Sequence, residues 1–208
     1  MDREEKIIQV NYWKRLRKDF DNIVGNLHGI AIVIHNSIDF KDIVDFLNKV
    51  RKKEKNTVLY ISLINSYNRV KNTLREFPLK NKNIFVIDCV SVFLDDKEDT
   101  EKCRYRKPPE NLKELEQLIE RNINRTNPNI LMIDSISQFI NLSMPSDEEL
   151  TNFYRFLHDL RKKISGLNED SIILLYNNRM GLIKNLPVMN VDLILKLEVI
   201  KEKVNWKS

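Results

Sequence analysis

The sequence contains few cysteines and histidines. Its 208 residues include 2 cysteines and 3 histidines. Cys89 and Cys103 have no metal-ligand spacing, and the histidines at positions 28, 35 and 158 are scattered along the chain. A chain of this length buries about 70% of the surface that its unfolded state exposes, so it needs neither disulfide nor metal for stability. The sequence therefore predicts a globular protein without a metal site.

Long apolar runs are absent as well. No uninterrupted run approaches the roughly 20 apolar residues that a helix needs to span a bilayer, and residues 1–20 lack the apolar block of a signal peptide. We therefore expect a cytoplasmic protein with no membrane segment. The 35 basic and 30 acidic side chains give a net charge of +5, which is too balanced to indicate a nucleic-acid binder by itself.

Short apolar runs alternate with stretches of helical periodicity. The runs predicted to be strands are residues 29–35, 57–62, 83–89, 129–135 and 171–177, followed by 191–200 with an antiparallel option near the sheet edge. Runs this apolar are typical of strands covered by helices on both faces. The pattern predicts an α/β fold with a doubly wound, mainly parallel sheet, flanked by helices on both faces and joined by right-handed crossovers.

Three further features complete the predicted organisation. Residues 1–24 are predicted to form an amphipathic N-terminal helix, followed by the α/β domain at 25–208. The predicted apolar stripe of that helix is Ile7, Val10, Trp13, Leu16, Phe20 and Ile23. Pro109 suits the first turn of one later helix, and Ser146 with Glu149 forms a capping box for the next. Residues 90–108 are charged and irregular, which predicts an exposed loop with an exposed Cys103.

Three segments together resemble the KaiC-like branch of the RecA-type ATPases. They read VLYISLINSYNRV at 58–70, NIFVIDCVS at 83–91 and NILMIDSISQF at 129–139. The order and spacing of the strands also match, and the similarity extends over roughly residues 22–204. The resemblance implies a RecA-like fold and, in an active member, ATP hydrolysis.

The resemblance breaks at the loop after the first strand. In the family this loop is rich in glycine and ends in Gly-Lys-Thr or Gly-Lys-Ser, whose amides and lysine hold phosphate. Here residues 35–42 read HNSIDFKD, without glycine. Ile38 and Phe40 do not favour the positive-φ turns of an amide nest, and Asp39 is better suited to capping the next helix than to facing phosphate. Lys41 falls inside that helix. The resemblance therefore implies a degenerate member with no bound cofactor.

The resemblance breaks again at the catalytic carboxylates. KaiC-like ATPases usually have a glutamate pair after the second strand, where a carboxylate orients the attacking water. Here Ile64 and Asn65 stand at those places. Asp134 matches the aspartate that helps to hold magnesium, but without phosphate and base it has nothing to catalyse. The alternative is a strand-end carboxylate that caps a turn with Ser135 or Ser137, and Asp88 has the same interpretation.

We therefore expect a non-catalytic pseudo-ATPase that serves as a protein-interaction or regulatory module. The resemblance suggests self-association or pairing with an active RecA/KaiC-like relative. Trp13, Leu16 and Phe20 are the candidate partner contacts, although the same stripe also suits packing on the domain's own core. The remnant of the nucleotide cleft is predicted to include Asp39, Lys41, Ser62, Asp134 and Asn177.

Two alternatives remain open at this point. A nucleic-acid-binding module would use basic helix ends and the 102–107 loop; its candidate residues are Lys14, Arg15, Arg17, Lys18, Arg104 and Arg106. These cations are also explained as a solvated helix face. The other alternative is an atypical ATP-binding protein with an altered phosphate loop.

Overall fold

The computed structural model describes residues 18–19, 21–35, 40–50, 55–93, 98–165, 171–177 and 191–197. Within these ranges the chain forms a seven-stranded sheet with helices on both faces. None of the helices found there is long and apolar enough to cross a membrane. The same ranges contain no group of three or more side chains suited to holding a metal.

All seven strands are parallel, in the order β4-β3-β2-β5-β6-β1-β7. The strands are β1 Gly29–His35, β2 Asn56–Ser62, β3 Lys82–Asp88, β4 Cys103–Tyr105, β5 Ile130–Asp134, β6 Ser171–Asn177 and β7 Leu193–Leu197. Every residue of β1, β5 and β6 is buried, as expected for parallel strands covered on both sides. The predicted α/β doubly wound sheet is confirmed. The antiparallel option for the last strand is wrong, because β7 pairs with β1 in parallel.

The helices divide into two layers. The described residues of α1 are 18–19 and 21–25, and the other helices are α2 Phe40–Lys49, α3 Tyr67–Glu76, α4 Leu112–Thr126, α5 Ile136–Ser143 and α6 Asp147–Ser165. Side chains of α1, α2 and α3 pack on one face of the sheet. Those of α4, α5 and α6 pack on the other face. Two apolar cores therefore enclose the sheet.

The end of α1 differs from the predicted stripe. Ile23, assigned to the apolar face, is 49% exposed, whereas Val24 is fully buried with Leu27 in the core under α2. Periodicity alone does not fix the rotation of a short helix to within one residue, since Ile23 and Val24 are both apolar. The predicted partner contacts Trp13, Leu16 and Phe20 lie outside the described residues.

Local signals placed one helix start correctly and one incorrectly. The backbone amide of Ser146 donates to Glu149, and the amide of Glu149 donates to the Ser146 hydroxyl, which confirms the predicted capping box. Pro109 does not lie in the first turn of α4. That helix begins at Leu112 with Asn111 as its cap, because the Asn111 side chain accepts from the amide of Glu114 at 3.0 Å.

The segment predicted as an irregular loop at 90–108 contains ordered structure. It includes a 3-10 turn at Ser91–Phe93 and the edge strand β4. The outer amides of β4 are satisfied locally, since Cys103 donates to the Thr100 hydroxyl and Tyr105 donates to Asp99. These contacts cover the edge that would otherwise be open to pairing with another chain. Because this segment is rich in charged residues, its sequence did not indicate the three-residue strand β4.

Candidate functional site

The carboxyl ends of β2 and β5 meet where the sheet connections change direction. Helix α3, after β2, packs on one face, whereas α5, after β5, packs on the other. In open α/β sheets the crevice at such a point is where ligands bind. Ser62 ends β2 and pairs in register with Asp134, which ends β5. Two of the predicted cleft residues are therefore neighbours at the switch point.

The Asp134 carboxylate is the centre of a buried polar cluster. Its Oδ2 atom accepts hydrogen bonds from the Tyr60 hydroxyl and from the Asn65 side-chain amide, the latter at 3.0 Å. Its Oδ1 atom is buried and accepts no hydrogen bond from any residue of the described ranges. The sequence-based interpretation of Asp134 as a cap for Ser135 or Ser137 is wrong, because the donors come from β2 and the turn after it.

The turn after β2 holds Asn65 in place. The amide of Asn65 donates to the Ser62 hydroxyl at 3.0 Å, and that hydroxyl donates to the Asn65 carbonyl at 2.6 Å. Ser62 is fully buried and Asn65 is 7% exposed. This short turn aims the side-chain amide of Asn65 back at Asp134. Asn65 thus donates to Asp134, the carboxylate for which the sequence resemblance implied magnesium binding.

Burial dominates the electrostatics of the cluster. Desolvation raises the pKa of Asp134 from 3.8 to about 6, and the hydrogen bonds from Tyr60 and Asn65 only partly oppose it. Desolvation and the adjacent Asp134 charge also raise the pKa of Tyr60 well above its usual value, so the phenol stays protonated and donates. An ionised Asp134 is therefore costly in this structure.

Phe40 closes the cluster from the side of α2. It is the first residue of α2, is 2% exposed, and packs edge-on against the Tyr60 ring with centroids 5.3 Å apart. In the sequence, Phe40 belongs to the link that the resemblance aligns with the phosphate loop. The sequence indicated Phe40 only as an obstacle to a glycine-like turn and assigned no role to Tyr60. A tyrosine inside an aliphatic strand is the signal for this cluster, because a buried hydroxyl requires a partner.

Ser135, Ser137 and Asn177 form a separate network. The two serine hydroxyls lie 2.7 Å apart, and the Ser137 hydroxyl accepts from the backbone amide of Asn177 at 3.0 Å. This network joins the start of α5 to the end of β6. Asn177 lies at the carboxyl edge of the sheet, as expected, and is 2% exposed.

Asp88 at the end of β3 has a structural role. Its carboxylate accepts from the backbone amides of Tyr67, Val90 and Ser91 and from the Ser91 hydroxyl, at 2.6–2.9 Å. The carboxylate thereby caps the turn after β3 and joins it to the first residue of α3. This agrees with the strand-end interpretation of Asp88.

The other two cleft candidates are Lys41 and Asp39. The ammonium of Lys41 lies 4.4 Å from the centroid of the Phe77 ring, beyond the end of α3. Asp39 lies outside the described residues. Cys103 is fully buried, and desolvation raises its pKa to about 12. The prediction of an exposed Cys103 is therefore wrong, since β4 turns this side chain into the core.

Of the candidate nucleic-acid contacts that the structure describes, Arg106 is paired with an acidic side chain. Arg106 forms two hydrogen bonds to the Asp99 carboxylate, at 2.9 and 2.7 Å, and these lower the pKa of Asp99. The guanidinium of Arg104 lies 5.8 Å from the Phe85 ring centroid. Lys18 is exposed on α1. The other three candidates, Lys14, Arg15 and Arg17, lie outside the described residues.

Comparison with solved structures finds proteins of similar fold. The chain is similar to the flagellar accessory protein FlaH from Methanocaldococcus jannaschii, with a TM-score of 0.53 and 14% identity over 86% of this chain and 76% of that chain. It is also similar to the KaiC-like protein PH0186 from Pyrococcus horikoshii OT3, with a TM-score of 0.48 and 11% identity over 85% and 74% of the two chains. No protein-family model matches the chain. No curated protein matches it. Identities this low show the fold alone.

The raised pKa of Asp134 predicts a specific pH dependence of stability. The carboxyl binds its proton more tightly in the folded state, so the free energy of unfolding falls as pH rises from about 4 to about 6. A shift from 3.8 to about 6 corresponds to a loss of about 3 kcal/mol. Asp134→Asn keeps an acceptor oxygen and has no charge. We expect it to be more stable than the wild type at pH 8 and equally stable near pH 4, in denaturant unfolding at each pH.

Asp45→Asn is the matched control, because Asp45 is exposed on α2. We expect its stability to follow the wild type at every pH. Equal pH slopes for the wild type and Asp134→Asn would contradict the assignment of this titration to Asp134.

Proposed function

We propose that this chain is a non-catalytic RecA/KaiC-like protein that acts as a protein-interaction module. The proposal rests on one observation, the hydrogen bond from the Asn65 amide to the Asp134 carboxylate. At the position where the resemblance implies a water-orienting acid, the chain has an amide that donates. An amide does not accept a proton from water at neutral pH, so this residue supplies no general base.

The surroundings of Asp134 support the same conclusion. A magnesium ion needs ionised or neutral oxygen ligands that are open to it. Here Asp134 is 1% exposed, and one of its oxygens is already bound by the donors Tyr60 and Asn65. Phe40 packs over Tyr60 at the start of α2, where the amides of a phosphate-binding helix would face the nucleotide. Apolar packing thus lies against Tyr60, whose hydroxyl donates to Asp134.

An apolar cleft beside this edge supports an interaction role. It has a volume of about 480 Å³ and lies between the turn after β2, residues 107–110 and α5. Its lining residues are Leu63, Lys107, Pro108, Pro109, Glu110, Gln138, Phe139, Leu142 and Ser143. Leu142 is 76% exposed, and nearby Met144 is 84% exposed. Exposed apolar side chains around a cleft are typical of a protein contact, and we assign the cleft to a partner that inserts an apolar side chain.

A quantitative capture experiment tests this surface. Tagged wild-type protein, Leu142→Asp and Ile194→Asp are used to recover partners from the source cell. Leu142 lines the cleft, whereas Ile194 is 38% exposed on β7. Because an aspartate in the cleft would have to be desolvated by the partner, we expect Leu142→Asp to lose at least about 90% of the recovered partner, roughly the tenfold effect of 1.4 kcal/mol.

Ile194→Asp should recover the same partner as the wild type. Recovery that is equal for the wild type and Leu142→Asp would contradict the assignment of the cleft. If the recovered partner is a second copy of the chain, sedimentation of the purified protein will show a dimer that Leu142→Asp dissociates. A loss on Trp13→Asp and none on Leu142→Asp would instead place the contact on the N-terminal helix.

Phosphate release tests the absence of catalysis. We expect the wild type and Asp134→Asn to release phosphate from magnesium ATP at the same background rate, because the proposed site has no general base to activate a water molecule. Asp134→Asn controls for contaminating ATPases from the expression host, since both proteins are purified in the same way. A wild-type rate more than about tenfold above that of Asp134→Asn, the effect of 1.4 kcal/mol on the barrier, would overturn the proposal.

A further inference from the structure

A second concave surface lies between α3 and the start of β3. Its volume is about 290 Å³. It is lined by Tyr67, Lys71, Leu74, Arg75, Pro78, Leu79, Lys82, Asn83, Ile84 and Lys102, and we name it the α3–β3 groove. Lys82 begins β3, so the groove lies toward the amino end of that strand. It is separate from the cluster around Asp134, which lies at the carboxyl end of β5.

The charge of this groove is of one sign. Four of its lining residues are basic, Lys71, Arg75, Lys82 and Lys102, and none of the lining residues that the structure describes is acidic. Arg75 and Lys102 are exposed and form no ion pair with the residues of the described ranges. This contrasts with Arg106, which Asp99 neutralises. An anionic ligand would therefore meet at least two cations, Arg75 and Lys102, that no described acidic side chain neutralises.

The floor of the groove is aliphatic. Leu74, Leu79 and Ile84 are half-buried in it and also pack on the core beneath. Its one aromatic ring, that of Tyr67, lies edge-on to Tyr105, and the Lys71 ammonium is 5.9 Å from its centroid. Nucleic-acid bases bind single-stranded sites by stacking on aromatic faces. This floor is better suited to an aliphatic side chain than to a base.

The spacing of the cations fits an extended peptide. Lys71 and Arg75 are four residues apart on α3, which places their Cβ atoms about 5–6 Å from each other. Side chains on the same side of an extended peptide recur roughly every 6.6 Å. We propose that the α3–β3 groove binds an extended acidic segment of a partner protein. Its alternate apolar side chains face the aliphatic floor, and the long basic side chains reach around the segment to the carboxylates on its other face. This inference is independent of the apolar cleft and of the absence of catalysis.

Fluorescence anisotropy with a defined peptide tests the groove. The probe is a fluorescein-labelled peptide of alternating glutamate and leucine, titrated with the full chain. We expect saturable binding that weakens with salt, because exposed charges are screened. The same titration with a peptide of alternating glutamate and serine should give at least about tenfold weaker binding, since the floor then has no apolar partner.

Matched charge reversals locate the site. Lys71→Glu combined with Arg75→Glu should weaken binding at least about tenfold, because two attractive contacts become repulsive. Arg121→Glu combined with Arg125→Glu makes the same change at two exposed arginines of another helix, α4, at the same spacing. This control should bind as the wild type does, and so should Lys71→Arg combined with Arg75→Lys. Circular dichroism of each variant confirms that it is folded.

Four results would overturn the proposal. They are the absence of saturable binding, equal weakening by the two charge-reversed pairs, equal affinity for the serine peptide, and displacement of the probe by oligothymidine at lower concentration than by unlabelled peptide. The last result would assign the α3–β3 groove to a phosphodiester chain.

Discussion

The carboxylate of Asp134 must be solvated by protein groups, because it ends a parallel strand that is covered on both sides. The side chains next to Asp134 must therefore donate hydrogen bonds to it. The Tyr60 hydroxyl and the Asn65 amide supply the donors, and the Ser62 turn holds Asn65 in position. Phe40 then packs on Tyr60 and fixes the start of α2 against the sheet. The first residue of α2 and the turn that follows β2 are thus adapted to one buried carboxyl group.

Polar side chains near the ends of neighbouring strands form hydrogen bonds with other partners. Asp88 accepts from backbone amides of the turn that follows it, and Ser137 joins the start of α5 to Asn177. These polar side chains at the carboxyl edge of the sheet are therefore bound by other groups of the fold. The two surfaces that we propose as protein contacts lie beside this edge and away from it, in the apolar cleft near Leu142 and in the basic α3–β3 groove.

Most of the fold was predictable because a parallel sheet leaves a strong pattern. Its strands are short continuous apolar runs, and helical periodicity separates them. Two kinds of error came from short-range ambiguity. The strand around Cys103 is three residues long and lies in a charged stretch, and the rotation of α1 depends on whether Ile23 or its neighbour Val24 faces the core. The partners of Asp134 were not predictable, since Tyr60 is distant in sequence and its hydroxyl contact depends on strand register.

We propose that the edge around Asp134 does not hold a nucleotide. Thermal unfolding of the purified chain with and without millimolar magnesium ATP tests this proposal. A ligand present at a hundred times its dissociation constant would add about 2.7 kcal/mol of stability, which is a shift of roughly 5–10 °C in the unfolding temperature of a domain of this size. We expect no shift. A shift of several degrees with ATP that is absent in Asp134→Asn would contradict it.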